Sequence, residues 1–346
     1  MERKYKIIKT HLLGSGSYAN VYLCQKKFSR KKFAAKVIEV NGDNRLRLET
    51  ENEVEILLEL RHHINVVNLV DVIREPSKIN IIMEYVDGST FLAGVFKWPQ
   101  FDESCAKKTI KQILSALQFC HSKRIVHRDV CPENILWCDV PTQLYPHKKP
   151  LLKLIDFNLA RKIPDEIEFL RSDPLGNSSY MAPECLKEPP IVSFSSDIWS
   201  VGIIIFLLLG GYPPFWNKNY NYLLQNILEA NYAMPSNLWK GVSNEAQDLI
   251  KKTLNKDYRF RGNVDDILSH SWFNDYKEQS NYVLESPSRL NAFLKNLEEE
   301  KKCGKNRVYS LVLEEREPFI PGKEIEFFEN TDEGLERLKK CSNYNI

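Results

Sequence analysis

One carboxylate and one amide lie five residues apart in a short segment, His-Arg-Asp-Val-Cys-Pro-Glu-Asn, which spans residues 127–134. Asp129 could accept the proton of an attacking hydroxyl group, and Asn134 could hold a metal ion through its amide oxygen. Both roles serve the transfer of a phosphoryl group, because that reaction depends mainly on positioning and on stabilisation of negative charge. The segment therefore predicts a loop that carries out phosphoryl transfer.

A glycine-containing segment, Leu-Gly-Ser-Gly-Ser-Tyr-Ala-Asn-Val at residues 13–21, lies between two runs with the composition of β-strands. Glycines allow such a hairpin to lie close over phosphate groups, with backbone N–H groups directed at them. Two glycines in a hairpin are weak evidence by themselves, since an ordinary turn has the same pattern. The segment is a candidate phosphate-binding turn that needs support from its neighbours.

That support comes from a lysine and a glutamate further along the chain. Lys36 lies on an apolar strand, where a lysine would otherwise be an exposed charge at the sheet edge. Glu53 follows seventeen residues later on a segment with helical periodicity, at the edge of its apolar face, although Glu51 and Glu55 are close by. An ion pair between Lys36 and Glu53 would fix the ammonium group against phosphate oxygens.

A second carboxylate follows an apolar strand. Asp156 comes directly after Leu-Leu-Lys-Leu-Ile at residues 151–155. Magnesium is a hard cation that prefers oxygen ligands, so a carboxylate at a strand end next to phosphates would suit it. An aspartate in a turn after a strand is common, and this pattern gains weight only from the motifs around it.

The periodicity of apolar residues divides the chain into two parts. Residues 5–40, 66–72 and 80–85 have the pattern of strands, and residues 50–60 have that of one helix. After a connector near residues 84–88, the larger part is mainly helical. Its predicted helices span residues 103–122, 197–210, 220–230 and 244–254.

Composition excludes several classes of protein. The 346 residues carry a net charge of +2 and are 43% hydrophobic, which fits about two folded domains and favours neither a nucleic-acid nor a membrane partner. The eight cysteines form no CxxC pair, so reduced thiols and a cytoplasmic location are expected, with entry to the nucleus left open. The apolar run at residues 201–209 is too short to cross a bilayer and predicts a fully buried helix.

Taken in order, these motifs resemble those of the eukaryotic protein kinases over about residues 5–273. The matching features are the glycine turn, Lys36, Glu53, the 127–134 loop, Asp156, Ala-Pro-Glu at 182–184, Asp197 and Arg261. Gly-Gly-Tyr-Pro-Pro-Phe-Trp at 210–216 and His-Ser-Trp-Phe at 270–273 resemble the serine/threonine class, nearest its calcium/calmodulin-dependent group. The resemblance implies an α+β, bilobal fold. A β-rich N-lobe would span about 5–86, a larger helical C-lobe 87–273, and an extension of unknown role 274–346.

The resemblance also implies an ATP- and Mg²⁺-dependent serine/threonine kinase that acts on protein hydroxyl groups. Lys36, Glu53, Asp129, Asn134 and Asp156 would be catalytic, and the last two would hold Mg²⁺. Met83 would be the gatekeeper beside adenine, and Asp197 would brace the catalytic loop. The expected ATP-binding residues are Leu13, Gly14, Ser15, Gly16, Ser17, Tyr18, Ala19, Asn20, Val21, Ala34, Lys36, Met83, Glu84, Val86, Leu136 and Asp156.

Four positions depart from the family pattern. Ala19 and Asn158 replace glycines, and asparagine tolerates the left-handed backbone expected at 158. Asn177 stands where a threonine usually steadies the catalytic aspartate. Cys131 replaces a lysine that neutralises the transferred phosphate, and losing such a contact costs about 10²–10³ in rate. A slow kinase is therefore predicted, and the alternative is a weak or inactive pseudokinase that serves as a nucleotide-binding scaffold.

The implied activation segment spans about residues 156–184, and its candidate phosphate acceptors are Ser172, Ser178 and Ser179. After the family-like region, residues 286–302 predict a solvated amphipathic helix of mixed charge that packs loosely on the larger lobe, with a regulatory segment as the alternative. Its balance of acidic and basic residues disfavours calmodulin as a partner. The expected partners are protein substrates bearing serine or threonine, and the chain is expected to be a monomer.

Overall fold

A computed structural model describes residues 4–16, 19–98, 100–139, 151–172, 175–274 and 283–302. The smaller lobe is built on one antiparallel sheet of five strands in the order β1-β2-β3-β5-β4. Its elements are β1 (Tyr5–Ser15), β2 (Ala19–Lys26), β3 (Lys32–Glu39), α1 (Asn44–Glu59), β4 (Leu69–Arg74) and β5 (Lys78–Glu84).

Helix α1 begins earlier than the periodicity of residues 50–60 predicted. Asp43 caps it, because its side chain accepts a hydrogen bond from the backbone N–H of Leu46. The buried face carries Val54 and Leu57, which pack in the main hydrophobic core. This face turns Glu53 inward, so that only 3% of the residue is exposed.

The larger lobe is mainly helical. Its helices are α2 (Phe91–Phe96), α3 (Glu103–Ser122), α4 (Phe194–Gly210), α5 (Tyr220–Glu229), α6 (Asn244–Thr253), α7 (Val264–Leu268) and α8 (Ser286–Lys302). Its short strands are β6 (Ser89–Thr90), β7 (Ile125–Val126), β8 (Ile135–Asp139), β9 (Leu151–Leu154), β10 (Arg161–Lys162), β11 (Leu170–Arg171) and β12 (Ile191–Val192).

Helix α4 forms the centre of this lobe, since every residue from Ser196 to Gly210 is buried. The apolar run at residues 201–209 is thus the buried helix that the sequence predicted. Among the described residues, no helix has the length and apolar character needed to span a membrane. The α+β, bilobal architecture expected from the sequence is confirmed.

Helix α8 packs against the end of α4. Ser286 is fully buried and its hydroxyl donates a hydrogen bond to the carbonyl oxygen of Leu208. Arg289 donates to the carbonyl oxygens of Gly210 and Leu238 at 3.2 and 2.9 Å. Leu290 is 2% exposed. The predicted helix at 286–302 is therefore joined to the larger lobe by apolar packing and by bonds to backbone carbonyl groups.

Candidate active site

Three charged side chains from three elements meet between the lobes. Lys36 Nζ on β3 lies 2.7 and 2.9 Å from the two carboxylate oxygens of Glu53 on α1. The same atom lies 2.8 Å from Asp156 Oδ1, which follows β9. Of the three glutamates that the sequence offered on α1, Glu53 is the one that reaches the lysine. The three residues expected to act on phosphates and metal are thus brought together.

Charge is not balanced within this cluster. Burial would lower the pKa of Lys36, but the carboxylates of Asp156 and Glu53 raise it well above its ordinary value, so the ammonium group stays charged. Burial raises the pKa of Glu53 above its ordinary value. The charge of Lys36 lowers this pKa, whereas the charge of Asp156 raises it further. Two carboxylates share one cation, and a divalent metal ion bound at Asp156 would relieve the excess negative charge.

The turn that carries Asp156 is fixed by an aromatic contact. Phe157 is fully buried, and its ring lies 4.7 Å from the ring of His127, edge to face. The left-handed residue of this turn is Asp156, with a φ of 59°. Asn158 does not have a positive φ, so the left-handed backbone expected at this position is absent.

Asp129 is held from two sides. Asn134 Nδ2 donates to Asp129 Oδ2 at 2.8 Å and to the Asp129 carbonyl oxygen at 2.8 Å. The backbone N–H of Asn177 donates to Asp129 Oδ1 at 3.2 Å. The side chain of Asn177 accepts a hydrogen bond from the backbone N–H of Ser179. The backbone of the activation segment therefore helps to orient the predicted catalytic carboxylate.

Close approach between Asp129 and the activation segment depends on Gly176. Its φ of +115° lies in the region that favours glycine, and a Cβ atom there would stand 3.0 Å from Asp129 Oδ1. A side chain at this position would push the segment away from the catalytic carboxylate. Gly176 was not among the predicted site residues, although a glycine within the turn-forming segment Pro-Leu-Gly-Asn-Ser-Ser at 174–179 is a signal for such a position.

Asp197 at the start of α4 anchors the catalytic loop from below. Its carboxylate accepts hydrogen bonds from the backbone N–H groups of His127 and Arg128, both at 2.9 Å. His121 Nε2 lies 2.8 Å from Asp197 Oδ2. Burial raises the pKa of Asp197, but the hydrogen bond and charge of His121 outweigh it, and the pKa lies below its ordinary value. Asp197 is therefore placed to act as the brace that the resemblance implied.

Cys131 contributes no positive charge. Its residue is 3% exposed, and burial raises the pKa of the thiol well above its ordinary value. The charges of Asp129 and Glu133 raise this pKa further. At neutral pH the side chain is a neutral thiol that lies between two acidic groups.

Three of the expected nucleotide-binding residues lie on β2, β3 and β8. Val21 pairs with Lys36, and Ala34 pairs with Met83, in the sheet of the smaller lobe. Leu136 lies on β8 and is half-buried, as are Val21 and Ala34. The role of these three residues as apolar walls around adenine stays a prediction.

The glycine turn and the connector complete this region. Gly16 N–H donates to the Ala19 carbonyl oxygen at 2.9 Å and closes the hairpin. The predicted residues Leu13, Gly14, Ser15 and Asn20 lie on the paired ends of β1 and β2. Val86 lies in the connector after β5. Ser17 and Tyr18 lie outside the described residues.

The side chain of Glu84 is fixed by a lysine that the sequence analysis missed. Lys153 Nζ on β9 lies 2.8 Å from Glu84 Oε1 and donates to the Val66 carbonyl oxygen at 3.1 Å. Glu84 Oε1 also accepts a hydrogen bond from the backbone N–H of Asn68. A lone lysine within an apolar strand signals such a buried pair. The pair of Lys153 and Glu84 links the connector between the lobes to β9, the strand that leads to Asp156.

The end of the activation segment is anchored by a buried ion pair. Arg261 donates to both carboxylate oxygens of Glu184 at 2.7 Å, and its side chain is fully buried. Of the candidate phosphate acceptors, Ser179 is buried, whereas Ser172 and Ser178 are half-buried. Ser179 is thus poorly placed for modification in this conformation.

The donor set suits magnesium better than a transition metal. In the described part of the chain, no three His, Cys, Asp or Glu side chains are grouped as metal ligands. Magnesium is commonly bound by one or two protein oxygens, with phosphate oxygens and water completing its octahedron. Asp156 and Asn134 supply oxygen donors of this kind, so the residues present fit the ion expected from the sequence.

Comparison with known proteins finds protein kinases among the relatives of this chain. The chain is 35% identical over 276 residues to calcium-dependent protein kinase 5 of Plasmodium falciparum, with 79% of the chain and 46% of that protein covered. It is 33% identical over 296 residues to MAP kinase-interacting serine/threonine-protein kinase 2 of Xenopus laevis, with 77% of the chain and 61% of that protein covered. The chain thus spans about half to three-fifths of the length of these relatives.

Solved structures share the fold. The autoinhibited serine kinase domain of the giant muscle protein titin superposes with a TM-score of 0.73 at 26% identity, covering 85% of this chain and 87% of that one. The twitchin kinase region from C. elegans gives 0.75 at 25% identity, covering 87% and 51%. The family model of the protein kinase domain matches residues 7–273. The resemblance found in the sequence is confirmed, and the chain belongs to the protein kinase family.

Proposed function

We propose that this chain transfers the γ-phosphoryl group of ATP to serine or threonine hydroxyl groups of proteins. The observation that carries the proposal is that Lys36 bonds both Glu53 and Asp156, while Asn134 holds Asp129. The backbone N–H of Ile155 donates to the Asn134 carbonyl oxygen at 2.9 Å, which makes the two groups neighbours. Relatives with 33–35% identity that are named as protein kinases, one of them as a serine/threonine kinase, support it.

The residues of the candidate site would serve two purposes, phosphate binding and proton transfer. Lys36 would bind phosphate oxygens, and its position is set in advance by Glu53 at 2.7 Å. Asp129 would accept the proton of the substrate hydroxyl as its oxygen attacks phosphorus. Asn134 holds Asp129 in place through a 2.8 Å hydrogen bond. Bound Mg²⁺ would neutralise phosphate charge, with Asn134 and Asp156 as its protein ligands.

A phosphorylation assay tests the proposal. Purified protein is incubated with labelled ATP, Mg²⁺, and basic and acidic protein substrates. Asp129→Asn should lower the rate by about 10²–10⁴, the contribution of a positioned base. Asp165→Asn, a change of the same kind at a side chain that is 88% exposed, serves as the matched control. Equal signals from the wild type and Asp129→Asn would contradict the proposal.

We further propose that Cys131 makes the enzyme slow. A neutral thiol stands between Asp129 and Glu133, where the family usually has a lysine that stabilises the transferred phosphate. Cys131→Lys should therefore raise the rate by about 10²–10³. The increase should disappear when Asp129→Asn is added, because the new lysine acts on the same transferred group.

A second candidate function is a nucleotide-binding scaffold without catalysis, and the buried neutral Cys131 is the observation that favours it. Under this alternative, ATP with Mg²⁺ raises the unfolding temperature through the site around Lys36. The wild type and Cys131→Lys would then both remain at the phosphorylation level of Asp129→Asn. A signal from the wild type above that level would exclude the scaffold.

A further inference from the structure

Positive charge is concentrated at one end of the chain. The first 38 residues contain ten Lys and Arg and one Glu, a net charge of +9. Since the whole chain carries +2, residues 39–346 carry −7. The small overall charge, which led to the expectation of no membrane partner, therefore conceals a separation of charge between two parts of the chain.

Most of this charge lies on one end of the sheet in the smaller lobe. The turn between β2 and β3 and the two strand ends beside it form what we term the basic turn, residues 26–32. It contains Lys-Lys-Phe-Ser-Arg-Lys-Lys, and all seven residues are exposed. Lys6 and Lys9 on the neighbouring strand β1 are exposed as well. Lys4 also lies here, but it is paired with Asp71.

Phe28 stands at the tip of the basic turn. Its side chain is as exposed as in an extended peptide, at 106%, and its φ is 60°. A left-handed backbone is unfavourable for a large side chain and would suit asparagine or glycine better. Neither packing nor backbone geometry explains a phenylalanine here, so its presence points to a role outside the folded chain.

The basic turn is held firmly in place. Lys27 N–H donates to the Lys4 carbonyl oxygen at 3.0 Å, and Ser29 N–H donates to the Lys26 carbonyl oxygen at 3.1 Å. The Ser29 hydroxyl accepts a hydrogen bond from the backbone N–H of Lys31. These bonds present the aromatic ring and the surrounding charges as one preformed, protruding surface.

We propose that the basic turn docks on the surface of a membrane that contains anionic lipids. Basic side chains would lie among the acidic headgroups, and the Phe28 ring would enter the boundary of the acyl chains. A protruding turn with an aromatic tip fits a flat, penetrable surface, whereas it offers no groove to enclose a peptide. The glycine turn lies at the opposite end of β2, about 23 Å away at the usual rise per strand residue, so docking leaves the cleft open.

Vesicle binding tests this proposal without any measurement of catalysis. The full chain is sedimented with vesicles of phosphatidylcholine or of an equimolar mixture of phosphatidylcholine and phosphatidylserine. We expect binding to the mixed vesicles only, and weaker binding at high salt. Lys26→Gln, Lys27→Gln and Arg30→Gln combined should reduce the partition coefficient by about 100-fold, at about fivefold for each basic residue.

Two further variants separate this role from general charge and from folding. Lys187→Gln, Lys240→Gln and Lys251→Gln combined remove the same charge from exposed sites on the larger lobe and should leave binding unchanged. Phe28→Asn should reduce partitioning about tenfold while leaving the unfolding temperature unchanged or higher, because asparagine suits the left-handed backbone. Equal losses from both triple variants would overturn the proposal. So would equal binding of Phe28→Asn and wild type, or binding to a soluble acidic polymer as strong as to mixed vesicles.

Discussion

Arg261→Met should destabilise the larger lobe by about 3–5 kcal/mol, because it leaves the Glu184 carboxylate buried without its cation. Two bonds of 2.7 Å join these residues, and the Arg261 side chain is fully buried. The guanidinium group also donates to the carbonyl oxygens of Ser195 and Asn255 at 3.0 and 2.8 Å. It lies 4.9 Å from the ring centre of Trp199. The methionine could replace the packing but none of these hydrogen bonds.

Urea unfolding followed by tryptophan fluorescence is the assay, because all six tryptophans lie in the larger lobe, from residue 98 onward. The signal therefore reports on the lobe that contains the ion pair. Arg259→Met is the matched control, two residues away. Arg259 pairs with Asp257 at 2.6 Å, but its side chain is 71% exposed, so its loss should change the stability much less than the loss of Arg261.

A double variant distinguishes loss of the pair from loss of packing. Glu184→Gln should by itself leave Arg261 buried without its anion. Combining it with Arg261→Met removes both charges, so the double variant should cost about 3 kcal/mol less than the sum of the singles. Strictly additive effects, or an Arg261→Met variant no less stable than Arg259→Met, would refute the reasoning.

Three further outcomes are expected. Gly176→Ala should lower kcat by about tenfold or more, with a smaller effect on KM for ATP, because the added Cβ would stand 3.0 Å from Asp129 Oδ1. Steady-state kinetics measures both constants, and an unchanged kcat would contradict this expectation. In the wild type, the low pKa of Asp197 contributes stability that is fully present above the ordinary carboxyl pKa of 3.8 and is lost as the pH falls through the lower pKa of the folded state. Asp197→Asn should remove this contribution, so the free energy of unfolding, measured with urea between pH 3 and 7, should depend less on pH in the variant. Lys153→Met should weaken nucleotide binding by a few fold and lower the stability by about 1–2 kcal/mol, because Glu84 loses its partner at 2.8 Å. Titration with ATP measures the first effect and urea unfolding the second. An unchanged affinity for ATP would argue against a role for this pair in nucleotide binding.

The sequence predicted those site residues whose role follows from residue type and from spacing along the chain. Lys36 on an apolar strand and Glu53 at the edge of an apolar helix face belong to this class, since periodicity decides which way each side chain points. The start of α1 was placed several residues too late. Its first turn carries few apolar residues and is marked mainly by the cap at Asp43.

Other features depend on contacts between distant segments and could not be predicted from local pattern. Gly176 matters because it passes close to Asp129, and His121 because it meets Asp197, which is 76 residues away. The left-handed residue of the Asp156 turn was also misplaced, at Asn158. A preference for asparagine in left-handed backbone is a tendency of the residue, and the surrounding structure decides which position needs it.

The way α8 is attached to the larger lobe has a practical consequence for how the chain can be divided. The family model ends at residue 273, yet Leu284 and Leu290 are 5% and 2% exposed and lie in the main hydrophobic core. A protein shortened to that boundary would expose this apolar surface, and the Leu208 carbonyl group would lose the Ser286 hydroxyl that donates to it. The smallest fragment suited to expression and crystallisation therefore extends to about residue 302, some thirty residues beyond the region that the family model matches.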